Sequence, residues 1–341
     1  MTTSEKFNLI IQLSIPSILA QITTVLMFYI DAGMVGSLGA EPAAAIGLVE
    51  PATWLFFSLI GAVTMGFSVQ AAHFIGAKDF SKARSVMRHG YAFGLCFALC
   101  FLLVTVLIAP YLPIWLRGGK DIQHDASTYF LIFSFIIPFH LLEVMSASML
   151  KVSGDMRRPS SMAILMCVLD VIFNYFFIFP THDITLLGLQ VTVPGWGAGV
   201  AGAAFGSLLA FIAVALPLAY YAIFRSPILA WKLDVERFVW RWQYIWNAMK
   251  IGSPMALQYL LMNGAQLVST MIVAPLGNVS IAAHSFAITA ESLCYMPGYG
   301  ISEAATTLVG QSVGAGRRDL HRSFAWMTIF LGMLVMAFMG V

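Results

Sequence analysis

Nine apolar runs, each long enough to cross a bilayer, occupy most of this 341-residue chain. They cover roughly 8–37, 44–75, 86–116, 126–150, 160–180, 197–224, 246–276, 280–313 and 322–341, where a helical span needs about 20 mostly apolar residues. Backbone polar groups in hydrocarbon must be satisfied internally, which leaves helices or a closed barrel. The alternation of a barrel strand is absent, so an all-α polytopic membrane protein is expected. Composition agrees: 60% of residues are hydrophobic and 10% charged, against about 25% charged in soluble chains. Several runs exceed 30 residues, so those helices tilt or project beyond the bilayer. The amino end, MTTSEKFN, leads straight into a full-length span, and no cleavable signal peptide is expected. A net charge of +2 is too small to point to nucleic acid. The four cysteines, Cys96, Cys100, Cys167 and Cys294, all lie in apolar runs with neither disulfide nor zinc spacing, and read as packing residues.

Lys and Arg set the orientation. The connections at 76–90, 151–158, 225–250 and 317–322, with Lys6, hold all the basic residues except Arg117 and Lys120. The amino terminus and the even-numbered connections are therefore expected in the cytoplasm; the inner (plasma) membrane as the location is what the family resemblance given below implies. Residues 181–196 fall outside, and their alternating LQVTV core between Gly and Pro suggests a hairpin cap, with an unstructured loop as the alternative. Residues 225–245 are basic and aromatic and read as an interfacial linker.

The chain also repeats itself. At the offset that carries Pro16 to Pro254, Leu38-Gly39 falls on Leu276-Gly277, Ala44-Ala45 on Ala282-Ala283, Gly76-Ala77 on Gly314-Ala315 and Arg84-Ser85 on Arg322-Ser323. Such repeats mark transporters. Six spans separate the copies, so both enter the membrane the same way, and the pseudo-two-fold axis runs along the membrane normal with a cavity between the halves. The expected division is 1–224 for the first lobe, 225–245 for a cytoplasmic linker and 246–341 for a second lobe. That second copy holds three spans, so the expectation is a fragment or truncated product.

Few acids interrupt the runs. Asp31 shares its span with Pro16, which removes a backbone donor and lets the helix bend. An intramembrane acid costs roughly 2.5–3.5 kcal/mol on insertion scales and is a functional candidate by default. Asp170 and Asn174 lie one turn apart on one face of the fifth span. With Glu50 they form the expected cation-coupling set, since burial and like charge raise the proton affinity of carboxyls that meet. The alternatives are a helix-packing hydrogen bond for Asp170 and Asn174, and a helix start at Glu50 before Pro51. Glu143 and Glu303 lie near basic loops and can pair with them. Gln21, Tyr29, Gln258, Met262, Asn263, Gln266 and Glu291 are candidate cavity residues. Soft and aromatic side chains suit apolar cations. Packing and lipid contact explain most of the Met and aromatic residues equally well. Pro16 and Pro254 are candidate hinges. No Ser–His, HExxH or other catalytic constellation includes any of the seven histidines, and an enzyme is not expected.

IDAGMVGSLGAEPAAAIG, LKVSGDMRRPS, DVIFNYFFIF, GWGAGVAGAAFGS, GSPMALQYLL with APLGNVSIAAHSFA, and PGYGISEAATTLVGQSVGAGRRD lie across nearly the whole chain. In these segments the sequence resembles the multidrug and toxic compound extrusion (MATE) family. The resemblance implies a two-lobed bundle of twelve helices, about nine of them present here. It implies export of organic cations or amphipathic drugs in exchange for protons or sodium by alternating access, with no cofactor and no obligate protein partner. Asp31 matches the acid on the family's first helix. The DinF-like, proton-coupled branch carries Asn before Asp on the fifth helix, and here the order is Asp170 then Asn174. Sodium-linked, NorM-like members carry a glutamate where this sequence has Met262, which favours protons. A flippase for lipid or polyisoprenoid phosphates is the alternative within the superfamily, and the few Lys and Arg inside spans count against it.

Overall fold

A computed structural model describes residues 2–186, 189–233 and 238–339, without the side chains of 182–193. Over the described residues, each of the nine apolar runs is predominantly helical. In chain order the elements are α1 (Thr3–Gly36), α2 (Ala40–Gly76), α3 (Phe80–Ile108), the short α4 (Leu112–Trp115), α5 (Gln123–Ser134), α6 (Ile136–Val152) and α7 (Arg157–Ile178), then a hairpin of β1 (Pro180–Leu186) and β2 (Leu189–Trp196), followed by α8 (Gly199–Tyr220), α9 (Trp242–Val273), α10 (Asn278–Gly314) and α11 (Arg318–Met339).

Seven of these helices are long and apolar enough to span a membrane, and α5 with α6 makes an eighth span bent by 44°. The run at 126–150 is therefore two helices rather than one. The run at 280–313 is helical throughout, as the 37 residues of α10, but it falls short in apolarity. Its Ser, Thr, His and Glu residues are accommodated because α10 packs lengthwise on α1, α2 and α11. At 1.5 Å per residue, α1 and α2 are each longer than about 50 Å, well beyond a hydrocarbon core of about 30 Å. Both prolines sit inside unbroken helices, Pro16 in α1 and Pro254 in α9. Pro51 lies inside α2, which begins at Ala40, so Glu50 is not a helix start.

The internal repeat is visible as touching pairs. Gly47 of α2 lies against Ser285 of α10, and Ala72 against Gly310. Each pair consists of repeat-equivalent residues, so each marks the pseudo-two-fold axis. Gly76 sits on the backbone of Gln311, and Gly314 sits on that of His73, its mirror contact. The neighbouring helices obey the same symmetry: α2 packs on α9 as α10 packs on α1. Gly252 meets Ala62 O, while Gly300, the equivalent of Ala62, meets the backbone of Ser17 and Ile18. Close backbone approach through small residues is the usual way membrane helices gain contact.

The basic connections meet at one end of the bundle. Lys6 Nζ donates to Ser323 Oγ (3.2 Å), and Lys151 pairs with Glu303 (2.7 Å). Gln311 Nε2 reaches Val152 O (2.7 Å), closing α6 against α10. The segment joining the halves is held to α3 there: Arg84 donates to Ile228 O (3.0 Å) and Arg88 to Trp231 O (2.9 Å). His89 Nε2 accepts the Arg241 N–H (2.8 Å). At the opposite end, β1 and β2 pair antiparallel from Pro180↔Trp196 to Leu186↔Leu189, the hairpin expected from the alternation. The cysteines divide: Cys167 is buried, Cys294 half-buried, and Cys96 and Cys100 lie exposed on α3.

Candidate functional site

The site is built where α1, α7 and α8 meet. Asp170 and Asn174 share one face of α7, as their spacing requires, and Asn174 Nδ2 donates to Asp170 Oδ2 at 3.0 Å. The same Nδ2 donates to Asp31 Oδ1 of α1 at 3.1 Å. One amide therefore ties two carboxyls from different helices. The Asp31 and Asp170 carboxyls lie close enough to act on one another, and Ser207 of α8 lies beside Asp170. Two carboxylates offer only acceptors, so a direct bond between these groups would require a proton on one of them.

Burial is uneven. Asp170 is 2% exposed and Asn174 is fully buried, whereas Asp31 is only part-buried. Asp31 is thus the member of the group that a solute outside the α1–α7–α8 packing can reach. The back wall is set by glycine. A Cβ on Gly206 would overlap Asn174 Oδ1 and lie 2.8 Å from its backbone N, and one on Gly202 would overlap Phe177 O. These two residues form a GxxxG pair that lets α8 press onto α7. They turn the Asn174 oxygen toward Gly206 and its NH2 group toward the acids, so that within the structure the oxygen has no hydrogen-bond donor.

Glu50 is placed elsewhere. Its Oε2 accepts from Ser285 Oγ at 2.7 Å, across the α2–α10 contact, and Trp54 lies beside it. Tyr129 of α5 lies near enough to Glu50, Asp31 and Asp170 to feel the charge of all three.

The expected cavity residues are not gathered into one wall. Asn263 reaches across to α2, donating to Ser58 Oγ (3.2 Å) and to Tyr259 O (3.0 Å). Gln258 Nε2 contacts Met262 Sδ (3.9 Å) on the outer face of α9, where Met262 is exposed. Tyr29 and Glu291 are exposed, and Gln21 and Gln266 half-buried. Two pockets of the structure include none of these seven. One lies between Gly36, Ala40, Ala43, Val279, Ala283 and Phe286, where α1, α2 and α10 meet beside the Gly47–Ser285 crossing. Glu303 pairs with Lys151, and Glu143 faces His140 on its own helix at 3.9 Å.

Four residues of this region carried no signal as single letters: Ser207, Gly206, Tyr129 and Ser285. The repeat held a clue to the last, because Ser285 is the equivalent of Gly47, one turn before Glu50 on the same face of α2. Among the described residues no cluster of three or more His, Cys, Asp or Glu could hold a metal ion.

Comparison with known proteins agrees with the repeat. The MatE family model matches residues 16–176 and 254–341. The two matches begin at Pro16 and Pro254, the repeat-related prolines. A probable multidrug resistance protein NorM of Thermotoga maritima is 26% identical over 311 residues, covering 91% of this chain and 64% of the relative. One from Oceanobacillus iheyensis is 24% identical over 352 residues, covering 100% and 74%. The chain thus spans roughly two thirds to three quarters of their length. Among solved structures, an outward-facing multidrug resistance MATE family transporter of the MOP superfamily superposes with a TM-score of 0.84 at 21% identity, covering 97% of this chain and 70% of that one. A MOP superfamily transporter from Pyrococcus furiosus gives 0.83 at 22%, with the same coverage. These likenesses fix the two-lobed helical fold. With most of its length matched in two repeat-related blocks, the chain belongs to the MatE family, whose members are transporters and not enzymes.

Proposed function

We propose that this chain is part of a proton-coupled exporter of organic cations and amphipathic drugs, working by alternating access about the α2–α10 axis. The observation that supports the reading is the Asp31–Asn174–Asp170 group, in which one amide ties two neighbouring carboxyls and Asp31 is the more exposed of the two; one proton would then serve both carboxyls. In the proton-loaded form the two carboxyls share a single negative charge and are held by Asn174. Loss of that proton leaves two negative charges close together in a poorly hydrated site, which either recruits a cation or drives the helices apart. A cationic drug that neutralises Asp31 and a proton that does the same are then mutually exclusive, which is the requirement for exchange.

Protons fit the group better than sodium. A hard cation takes several oxygen ligands, but the position between the two acids is filled by the Asn174 NH2 group, with its oxygen turned to Gly206. This supports a DinF-like rather than a NorM-like coupling. Pro16 would supply the bend by which α1 responds to the charge on Asp31, and Pro254 its counterpart in α9. The cargo would contact Gln21, Tyr29, Met262, Asn263, Gln266 and Glu291 once the halves separate, with Glu50 released from Ser285 in the same movement. The basic end of the bundle would face the cytoplasm, in the inner membrane.

The test is drug accumulation in everted membrane vesicles from cells expressing the chain. A proton gradient should drive uptake of ethidium or a similar cation, Asp31→Asn should abolish it, and sodium should be unnecessary. Wild-type uptake by Asp31→Asn, or uptake that requires sodium and ignores the proton gradient, would overturn the assignment.

A further inference from the structure

The coupling group stands at one end of a polar seam between α1 and α7. Three contacts cross this seam: Asn174 Nδ2 to Asp31 Oδ1 (3.1 Å), Cys167 Sγ to Thr24 Oγ1 (3.9 Å) and Ser17 Oγ to Met156 Sδ (3.8 Å). They set the two helices parallel, with residue 31 level with 174 and residue 24 level with 167. On α1, Ser14, Ser17, Gln21 and Thr24 follow one another at intervals of three or four residues, so they share a face with Asp31. On α7, Ser160 lies on the face of Met156, Cys167 and Asn174 by the same rule, and the register sets it level with Ser17. From Asp31 the seam runs toward the basic end of the bundle, where Ser160 stands one turn from the exposed Arg157.

Two hydroxyls of the seam behave unlike others in the spans. Thr23, Ser58, Thr105 and Ser134 each donate to the carbonyl one turn earlier in their own helix. Ser14 and Ser160 do not. They are 1% and 3% exposed, yet neither Oγ has a hydrogen-bond partner among the described residues. Buried hydroxyls turned away from their own helix are ordinarily met by an ordered water. At the same end the two halves are sealed against each other. Gly76 and Gly314 sit on opposing backbones, Gln311 reaches Val152 O and Lys151 pairs with Glu303. A proton leaving the acids between the halves meets that closure, whereas the seam stays inside the first half.

We propose that the α1–α7 seam is a water-bridged proton path joining the Asp31–Asp170 group to the basic end of the bundle, an inference that rests on the proton-coupled reading above. Its stations descend from Asn174 through Asp170, Thr24 beside Cys167, Gln21 and Ser17 with Ser160 to Ser14. Successive stations are three or four residues apart, about 4.5–6 Å along the helix axis. A water with a hydrogen bond on either side spans about 5.5 Å, so one water closes each step. Each hydroxyl or water accepts one proton as it gives up another, and one proton crosses with nothing consumed. Gln21 cannot pass a proton in this way and serves to hold a water between Thr24 and Ser17.

The test has two arms, both on the full chain in liposomes. In X-ray hydroxyl-radical footprinting read by mass spectrometry, the buried Cys167 and Met156 of the seam should be oxidised faster than Met87 and Met149, which are buried elsewhere, after correction for intrinsic reactivity. Equal protection of all four means a dry seam and overturns the proposal. In the second arm an ethidium gradient drives protons across the membrane, followed by a pH dye in the lumen. Thr24→Val removes one hydroxyl at nearly constant shape. It should slow proton movement about tenfold and leave ethidium affinity unchanged, and Thr24→Ser should restore the rate. Wild-type rates in Thr24→Val overturn the path, as does a loss that Thr24→Ser fails to rescue, which marks a packing defect. A wild-type chain that moves no protons overturns the transport reading and the path with it, whereas a dry seam in a chain that does move them overturns the path alone.

Discussion

Replacing Gly206 by Ala perturbs the candidate coupling site without touching any acid. The new methyl group would overlap Asn174 Oδ1 and stand 2.8 Å from the Asn174 backbone N and 3.0 Å from its Cγ, all closer than side-chain carbons normally come. Two responses are open. The Asn174 side chain can swing away, which breaks its bonds to Asp31 and Asp170, each worth about 1–3 kcal/mol. Alternatively α8 can move off α7, and overpacking of this kind costs about 1–3 kcal/mol. The backbone contact demands some helix separation in either case, so we expect a total loss of about 2–5 kcal/mol. Asn174→Ala removes the two hydrogen bonds and the oxygen together. Adding Gly206→Ala to it should then cost only the separation of the helices, leaving a coupling energy of about 1–3 kcal/mol between the two positions. The assay is unfolding in mixed micelles of increasing SDS fraction, followed by circular dichroism, on the four proteins of the cycle. Additive losses, or a Gly206→Ala protein as stable as wild type, would refute the inference that Gly206 holds the Asn174 amide against the acids.

The axis itself can be tested at its mirror contacts. Gly76→Ala and Gly314→Ala each place a methyl on the other helix's backbone. Each should cost about 1–3 kcal/mol. The double variant should cost less than the sum, because helices spread once accept both methyls; strict additivity in SDS unfolding would deny the shared contact. At the loop between α2 and α3, Asp79 caps α3 through the Lys82 N–H (3.2 Å) and pairs with its ammonium (2.7 Å). Asp79→Ala should cost about 1 kcal/mol. The Lys82 side chain holds the Asp79 carboxyl below its ordinary value. A depressed folded-state value means this stability is present above the usual carboxylate range and is lost as pH falls through the lowered value. The Asp79→Ala and wild-type unfolding curves should therefore converge in acid, and a gap that is constant with pH would contradict the cap. The Lys151–Glu303 pair joins α6 to α10. A double-mutant cycle with Lys151→Met and Glu303→Gln should give a coupling of about 1 kcal/mol, and zero coupling would remove the pair from the contact between the halves.

Much of this architecture was legible in the letters because bilayer physics leaves few choices. Apolar run length gives the helices, and basic residues mark the end at which their connections gather. The repeat was readable because its punctuation is structural: Gly76 and Gly314 are glycines since each carries the other helix's backbone. The Asp170–Asn174 pair followed from helical spacing alone. What stayed hidden depends on packing between helices. Nothing in a serine such as Ser207 or Ser285 says which acid it will face, and Gly206 is one of 28 glycines. Glu50 was grouped with Asp31 and Asp170 because all three are acids in the first half, yet α2 lies against α10, so its partner comes from the second half. The polarity of α10 was averaged away by reading run length without asking which neighbours its polar face meets. The 44° bend in the 126–150 run did have a signal, Pro138, which has no N–H for the Ser134 carbonyl and crowds it with its ring, and reading run length alone passed over it.

The central claim is that Asp31 and Asp170 share a proton that a bound cation displaces. It is met most directly by measuring proton release when ethidium binds the purified chain in weakly buffered detergent solution, by pH-indicator absorbance alongside calorimetric binding. Proton release should accompany binding in the wild type and vanish in Asp31→Asn. Cation binding with no proton released, or the same release from Asp31→Asn, would show that the group does not couple the two.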